Sequence, residues 1–310
     1  MVEGLPDVTR VYQNHHLDSK RWDQFRPRDD DIIVSTPYKC GTTWMQMIII
    51  NLIYRDAEEV PTLDQVSPWV DARFTGPIEM VMGLLEGIEE RRCIKSHLGL
   101  DGLPYHRRVK YLCVGRDARD VFMSLWNHWG NYTDQLYETM GTGQVGDPMP
   151  RRSDDLRAVW RDWIGKGWFD WESEGFPYWG NMHHIQSFWD YRHLPNLLMV
   201  HYNDLTADPE GQIKRVADYL DMDVTAGEVR RIAEATHFDN VKQNAAKLLP
   251  GMNLAFAGGA DAFIYKGTNG RWREALTEED ITLYEEAKAR VLSPGCAQWL
   301  EKGWLALDDS

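Results

Sequence analysis

Short apolar runs alternate with longer segments along the chain. Residues 30–36 (DDIIVST), 92–97 (RCIKSH), 109–115 (VKYLCVG) and 196–202 (NLLMVHY) are short runs rich in apolar and β-branched residues, and they predict buried strands. Segment 41–54, directly after the first run, is apolar on nearly every face and predicts a buried helix. Buried strands that alternate with helices predict an α/β fold with a central parallel sheet flanked by helices.

Further helices are marked by their termini as well as by periodicity. Residues 118–129 follow the third strand and have a helical pattern. Asp208 is a suitable N-cap and Pro209 suits the first turn of the helix that follows. Thr277 and Asp280 are spaced as a variant of the capping box, which predicts a helix start near the C-terminus.

Segment 130–180 does not fit the alternation of strands and helices. It is rich in Gly, Trp and charged residues, and we expect a long excursion or lid over one end of the sheet within a single domain spanning 1–310. Several aromatic residues in and before this segment fit either the walls of an apolar pocket or the core equally well. These residues are Trp22, Phe25, Trp69, Phe74, Trp163, Trp168, Trp171 and Trp179.

The charge balance restricts the partners. The chain has 310 residues with 34 Lys and Arg against 48 Asp and Glu, a formal net charge of −14. Such acidity argues against nucleic acids and anionic membranes as ligands, so a bound anion must be small and held locally. Neither a secretion signal nor a spanning segment is visible, and the cysteines are widely spaced, so we expect a cytoplasmic protein with reduced thiols and no zinc site.

The loop after the first strand has the residue types of a phosphate cradle. In TPYKCGTTW (36–44), Gly41 opens a helix N-terminus, Lys39 adds a positive charge, and Thr42 and Thr43 add hydroxyl donors. The order differs from the standard nucleotide loop, in which Lys and Ser/Thr directly follow the Gly, and no acidic residue suited to Mg²⁺ ends a neighbouring strand. An ordinary Gly turn capped by Thr is the alternative.

Two further basic stretches strengthen the phosphate interpretation. VGRDARDVFMSLWNH (114–128) runs from strand to helix, with Arg116 at the strand end and Ser124 about two helical turns later. The alternative is that Arg116 only pairs with neighbouring acidic residues. YKGTNGRW (265–272) is a third Gly-rich basic stretch. Because ligands of α/β sheets collect beyond the carboxyl ends of the strands, the three stretches together indicate a ligand with more than one phosphate group.

These motifs, with IKSHL (94–98), HYNDL (201–205) and ATHFDNVKQN (235–244), resemble those of the cytosolic-type sulfotransferases, in the same order and over residues 20–290. This family transfers a sulfuryl group from 3′-phosphoadenosine-5′-phosphosulfate (PAPS) to a hydroxyl or amine and releases 3′-phosphoadenosine-5′-phosphate (PAP). The resemblance implies a sulfotransferase-type fold with a P-loop-like turn, catalysis by His97 with Lys39 and Lys95, and no metal. The implied PAPS-binding residues are Lys39, Cys40 (through its backbone N–H), Gly41, Thr42, Thr43, Trp44, Arg116, Ser124, Tyr202, Thr236, Phe238, Tyr265, Lys266 and Gly267.

The chain departs from the family pattern at several positions. Tyr265 stands where the family usually has Arg, so one of the implied contacts to the 3′-phosphate is missing. Arg271 stands where the family usually has Asp. Cys40 replaces the usual Ser. Its place beside Lys39 at a helix N-terminus predicts a lowered thiol pKa and faster alkylation than at the other cysteines. The dimerisation motif of the animal enzymes is not recognisable, so no oligomeric state is implied.

The residues are consistent with the chemistry that the resemblance implies. Lys39 can stabilise the leaving phosphate oxygen, and a histidine of near-neutral pKa suits removal of the proton from the acceptor. His97 and Lys95 are two residues apart at a strand end and share a face. A purely structural role is the alternative for His97, and it is the role we expect of other histidines outside the motifs. These are His15, His16, His183 and His184.

Two other function classes use similar loops. One is an ATP-dependent small-molecule kinase, which needs a metal ligand that the sequence does not offer. The other is a non-catalytic nucleotide-binding module, in which His97 is incidental. The sulfotransferase interpretation is preferred, with a small and largely apolar acceptor whose identity the sequence does not specify.

Overall fold

The protein is described by a computed structural model over residues 4–143 and 145–308. Within these residues, four strands form one parallel sheet: β1 Ile32–Ser35, β2 Cys93–Ser96, β3 Lys110–Gly115 and β4 Leu197–His201. Their order across the sheet is β2-β1-β3-β4. The four strands that the sequence predicts are therefore confirmed, as is the α/β fold with a central parallel sheet.

Helices cover the sheet and fill the connections between its strands. In chain order they are α1 Thr42–Ile53, α2 Leu63–Val66, α3 Ile78–Gly87, α4 Ala118–Gly130, α5 Asp134–Gly141, α6 Leu156–Gly165, α7 Asn181–Trp189, α8 Tyr202–Ala207, α9 Pro209–Tyr219, α10 Ala226–Ala235, α11 Phe238–Gln243, α12 Ala245–Leu248, α13 Met252–Ala255, α14 Gly259–Phe263, α15 Trp272–Ala275, α16 Glu278–Val291, α17 Pro294–Lys302 and α18 Leu305–Asp308, and a 3₁₀-helix spans Ser19–Gln24. Among the described helices, none is both long enough and apolar enough to cross a membrane.

Both faces of the sheet are buried. Along β3, Tyr111 and Cys113 pack into one apolar cluster, whereas Leu112 and Val114 pack into another on the opposite face. Consecutive side chains of a strand point to opposite faces, so a strand buried on both faces has a continuous apolar sequence rather than an alternating one. This is why the strands appear in the sequence as short unbroken apolar runs.

The strand order creates a crevice at one end of the sheet. In the strand order, β2 follows β1 toward one edge of the sheet, whereas β4 follows β3 toward the other edge. The direction of winding therefore reverses between β1 and β3. Loops that leave the carboxyl ends of two such strands diverge and leave room for a ligand between them. The loops that start at residues 36 and 116 leave β1 and β3 at this point.

The predicted helix starts agree with the structure. The side chain of Asp208 accepts a hydrogen bond from the backbone N–H of Gly211, and Pro209 is the first residue of α9. Thr277 and Asp280 form a reciprocal capping box at the start of α16. Side-chain caps of this kind satisfy backbone N–H groups that have no partner within the helix.

Segment 130–180 contains α5 and α6, and part of it belongs to the core. Trp160 and Trp163 of α6 are buried, with their rings 5.0 and 5.5 Å from that of Phe122 in α4. These contacts attach α6 firmly to the helix that follows β3. A lid function for this segment stays a prediction.

Candidate functional site

A cavity of about 250 Å³ lies beyond the carboxyl ends of the strands, where the loops after β1 and β3 diverge. Its walls bring together every site residue that the sequence analysis predicts except Cys40, although these residues come from distant parts of the chain. Those lining it are Lys39, Gly41, Thr42, Thr43, Trp44, Lys95, His97, Arg116, Ser124, Tyr202, Thr236, Phe238, Tyr265, Lys266 and Gly267.

The first loop is shaped by two residues with positive φ. Lys39 has φ 65° and Gly41 has φ 105°, a conformation that favours glycine. A Cβ atom on Gly41 would lie 3.1 Å from Cδ2 of Tyr202, so the close packing of loop and ring also requires glycine. The turn ends directly at the N-terminus of α1, where the first backbone N–H groups have no partner within the helix. The predicted anion cradle therefore has the right geometry.

Three cationic side chains meet in this cavity. Burial, together with the nearby charges of Arg116 and Lys95, lowers the pKa of Lys39 to about 7. Burial also lowers the pKa of Lys95 to about 8. Within the described residues, none of the three forms an ion pair with a carboxylate: Lys39 Nζ contacts Nδ1 of His128 at 3.2 Å, and Lys95 Nζ lies 4.2 Å from the ring centre of Trp69. Buried unpaired charges favour binding of an anion.

Arg116 is held in place by the late loop, residues 265–272. Its Nη2 and Nε donate to Oδ1 of Asn269 at 2.6 and 3.0 Å, and its guanidinium lies 4.1 Å from the ring centre of Tyr202. The backbone N–H of Gly270 donates to Oδ1 of Asp120 at 2.6 Å, which ties the same late loop to α4. Arg116 is thus not neutralised by its acidic neighbours, contrary to the alternative interpretation, and it faces the cavity.

Arg271 is a candidate binding residue that sequence reasoning treated only as a departure from the family pattern. It lines the cavity, its guanidinium lies 5.3 Å from the ring centre of Tyr265, and its Nε is buried without a partner among the described residues. Burial lowers the pKa of Arg271, and the charge of Arg116 lowers it further. Arg271 therefore adds a second guanidinium close to Arg116.

Aromatic side chains form another part of the cavity wall. The rings of Trp44 and Tyr202 meet edge to face at 5.5 Å, and Trp44 Nε1 is buried without a partner among the described residues. Gly267 has φ 65°, and a Cβ atom there would lie 2.5 Å from Cδ2 of Phe238. The glycine thus allows the late loop to pass directly over the Phe238 ring.

His97 has a defined tautomer. Its Nδ1 lies 2.6 Å from the carbonyl oxygen of Thr36, and its backbone N–H donates to Oδ2 of Asp71 at 3.0 Å. Because a carbonyl oxygen only accepts, Nδ1 carries the proton and Nε2 of the neutral imidazole is unprotonated. Burial lowers the pKa of His97 well below its usual value, with a further contribution from Lys95. The imidazole is therefore neutral at pH 7 with Nε2 unprotonated, although its pKa lies below the near-neutral value expected from the sequence.

The aromatic residues whose role the sequence left open divide into three groups by their contacts. Trp22, Phe25 and Trp163 are buried in the core. Trp69 and Trp179 lie around His97, with ring centres 4.8 and 5.9 Å from the imidazole. Other members contact these walls or the N-terminal segment: Phe74 lies 5.5 Å from Trp69, Trp168 lies 4.5 Å from His15, and Trp171 lies 5.5 Å from Tyr12.

Sequence reasoning missed one histidine of the site. His128 lines the cavity and contacts Lys39; it ends the stretch 114–128, but only Arg116 and Ser124 were singled out there. His16 packs against the rings of Phe74 and Trp179 at 5.5 and 6.0 Å, and the structural role expected for it stays a prediction. His128 lies four residues after Ser124 on α4, so the helical period was the available signal.

The expected reactivity of Cys40 is wrong. The thiol is fully buried and does not line the cavity, and burial raises its pKa to about 12 despite the opposing effect of Arg116. Its Sγ lies 3.7 Å from Nδ2 of Asn181. The cost of burying a thiolate outweighs the helix N-terminus and the nearby cation, on which the expectation rested.

The described residues were also compared with the requirements of a metal site. Among residues 4–143 and 145–308, no group of three or more His, Cys, Asp or Glu side chains is arranged to hold a metal ion. The polar groups that face the cavity include the cations of lysines and arginines and the hydroxyls of threonines and a serine, which are donors for an anion.

Comparison with known proteins is consistent with this site. Residues 29–293 match a family model described as a sulfotransferase domain. The chain is 30% identical to a glycolipid sulfotransferase of Mycobacterium bovis, with 94% of each chain covered, and 27% identical to sulfotransferase 1 family member D1 of Rattus norvegicus, with 92% and 90% covered. The crystal structure of mouse sulfotransferase SULT7A1 complexed with PAP has a similar fold, with a TM-score of 0.66, 21% identity and 90% and 89% of the two chains covered.

The burial of the thiols gives a testable prediction. Brief alkylation of the native protein at pH 8 should leave Cys40 unmodified, because a thiol of pKa about 12 is ionised in only about one molecule in 10,000 at that pH. Cys113, equally buried, is the internal control. Mass spectrometry should find both cysteines labelled only after denaturation. Selective labelling of Cys40 in the native protein would contradict the buried environment described here.

Proposed function

The chain belongs to the sulfotransferase family, and we propose that it transfers a sulfuryl group from PAPS to a hydroxyl of a small, largely apolar acceptor. The observation that carries this proposal is the unprotonated Nε2 of neutral His97 in the same cavity as the buried ammonium of Lys39. One group can take the proton of the acceptor, and the other can stabilise the negative charge of the leaving oxygen. A kinase or a purely binding module does not account for this pair together with the family match.

The cavity fits both charged ends of PAPS. The N-terminus of α1 and Lys39 suit the 5′-phosphosulfate, while Arg116, Lys266 and Arg271 supply positive charge for the 3′-phosphate. The aromatic part of the cavity, with Trp44 and Phe238, suits a planar base. Two buried polar atoms without partners among the described residues, Nε of Arg271 and Nε1 of Trp44, are further donors that a ligand can satisfy.

The residues around Lys39 are suited to an in-line transfer of the sulfuryl group from PAPS to the acceptor. PAPS supplies an activated sulfuryl group. The acceptor oxygen forms a bond to sulfur as the bond from sulfur to the 5′-phosphate oxygen breaks, and His97 Nε2 takes the acceptor proton. Lys39 stabilises the charge that develops on the leaving phosphate oxygen, and Lys95 adds positive charge nearby. The hydrogen bond to Thr36 keeps the proton on Nδ1, so Nε2 stays available as the base.

The acceptor side is apolar and aromatic. Tyr38, Trp69 and Trp179 surround His97 with ring centres within 6 Å of the imidazole. Such walls suit a hydroxyl attached to an apolar body, and exclusion of water protects the sulfuryl group from hydrolysis. The 30% identity with a glycolipid sulfotransferase supports an alcohol on an amphiphilic molecule. An amine is the alternative nucleophile, but its protonated form cannot attack.

Replacing His97 tests the proposed mechanism. Wild-type protein should transfer radiolabelled sulfate from PAPS to an aliphatic alcohol without added metal. His97→Ala should lower this rate by about 10²- to 10⁴-fold, the usual effect of losing a general base. The binding of PAP, measured by calorimetry, should change little.

His193→Ala is a suitable control, because His193 is exposed and lies outside the cavity. It should keep the wild-type rate. An aliphatic alcohol is the informative acceptor, since an acidic phenol ionises partly by itself. Unchanged turnover of the alcohol by His97→Ala would remove His97 from the mechanism.

Replacing Arg271 tests whether it takes the place of the arginine missing at position 265. Arg271→Gln should weaken PAP by about tenfold to a hundredfold, since one charge-assisted hydrogen bond contributes about 1.5–3 kcal/mol. The dissociation constant of adenosine 5′-monophosphate, which lacks the 3′-phosphate, should change by less than about threefold. Calorimetric titration of both nucleotides is the measurement.

Arg273 offers a matched control for this substitution. Its guanidinium lies 4.3 Å from the ring centre of Trp272, it is exposed, and it does not line the cavity. Arg273→Gln should therefore leave both dissociation constants unchanged. Equal weakening of the two nucleotides by Arg271→Gln, or no weakening of either, would show that Arg271 does not bind the 3′-phosphate.

A further inference from the structure

His128 is a buried imidazole in the cavity to which the proposed mechanism gives no role. It lies on α4 with 3% of its surface exposed. Its ring contacts Tyr38, Tyr132 and Phe256, with centres 5.4, 5.3 and 4.7 Å away. Tyr38 also contacts His97 at 4.8 Å, so the two imidazoles flank one tyrosine ring. His128 therefore belongs to the acceptor side of the cavity.

The contact with Lys39 defines the tautomer of His128. Lys39 Nζ lies 3.2 Å from Nδ1 of His128, and the ammonium form of Lys39, which a bound anion favours, can only donate a hydrogen bond. Nδ1 is then the acceptor, and the neutral imidazole carries its proton on Nε2. Burial, with the charge of Lys39, lowers the pKa of His128 well below its usual value and keeps the imidazole neutral.

The proton on Nε2 is left without a partner. Nε2 of His128 is buried and makes no hydrogen bond to any residue in 4–143 or 145–308. A buried donor without an acceptor destabilises the protein, so such a group in a native protein calls for an explanation. In a cavity that binds ligands, a ligand oxygen is the simplest explanation, because the neighbouring walls are aromatic.

We propose that the Nε2–H of His128 donates a hydrogen bond to a second oxygen of the acceptor, so that the acceptor class is a polyol such as a sugar headgroup rather than a simple alcohol. This inference rests on the proposed function. His97 Nε2 accepts from the hydroxyl that attacks, whereas His128 Nε2–H binds an oxygen that does not react. Since the two imidazoles flank a single ring, the second oxygen lies on the same small headgroup as the first.

His128 thereby acts as a specificity-determining residue. A monohydric alcohol satisfies His97 alone and leaves the His128 donor unpaired, whereas a polyol satisfies both. A site built to bind a substrate hydroxyl discriminates strongly against an analogue that lacks it, because its own polar group stays unpaired. The aromatic walls are then suited to the apolar part of the same acceptor.

Two acceptors with the same alkyl chain test the proposal: octyl glucoside and octanol. We expect wild-type kcat/KM to favour octyl glucoside. His128→Phe should lower kcat/KM for octyl glucoside by about tenfold more than for octanol, the effect of about 1.4 kcal/mol in one lost hydrogen bond. His128→Gln should recover part of the preference, since its amide can accept from Lys39 and donate to the acceptor.

Further outcomes separate this inference from the proposed function. An equal loss for both acceptors in His128→Phe would overturn the inference and point to a contact with the donor or with Lys39 alone. A wild-type protein that transfers sulfate to octanol without favouring octyl glucoside would also overturn it, while leaving sulfuryl transfer intact. Transfer to neither acceptor would overturn both. Both variants should bind PAP with a dissociation constant within about threefold of the wild-type value, which verifies that they are folded.

Discussion

The site depends on one electrostatic constraint: buried cations converge without carboxylates to neutralise them. Lys39 and Lys95 are removed from water, and burial lowers the pKa of each, to about 7 and about 8. Arg116 lies beside them, 4% exposed, and is held by an asparagine and a tyrosine ring rather than by an acid. Such an arrangement costs free energy in the absence of ligand, and a bound polyanion offsets that cost. This is how a chain with a net charge of −14 can bind an anion.

The fold makes this convergence possible. The strand order β2-β1-β3-β4 places the loops after β1 and β3 on either side of the point where the winding reverses. Lys39 comes from the first loop and Arg116 from the second, so neighbouring strand ends bring together residues 77 positions apart, and Arg116 Nη1 donates to the carbonyl oxygen of Lys39 at 3.3 Å. The late loop closes the arrangement, because Asn269 orients Arg116 and Gly270 is bound to Asp120. The same helix that presents Ser124 also carries His128, which contacts Lys39 and the ring of Tyr38.

The sequence was most informative where function depends on local motifs. The strands, the turn at Gly41 and the set of residues that line the cavity all follow from short patterns, since loops at strand ends are positioned by the sheet itself. His128 and Arg271 could not be identified in this way, because their importance lies in tertiary contacts: the one with Lys39, the other with Tyr265 and Arg116. Cys40 was misjudged for the same reason. A helix N-terminus and a neighbouring lysine are visible in the sequence, whereas complete burial of the thiol is not.

Proton uptake on binding PAP is the most direct test of the claim that an anion neutralises buried cations. In the free protein, Lys39 with a pKa of about 7 is mostly a neutral amine at pH 8 and mostly an ammonium at pH 6. A bound phosphate raises this pKa and that of Lys95, which is about half protonated at pH 8, so calorimetry in buffers of different ionisation enthalpy should detect uptake of at least about one proton at pH 8 and much less at pH 6. Lys39→Met should remove most of the uptake at pH 8. Binding of PAP with no proton uptake at either pH, or uptake unchanged in Lys39→Met, would contradict the account.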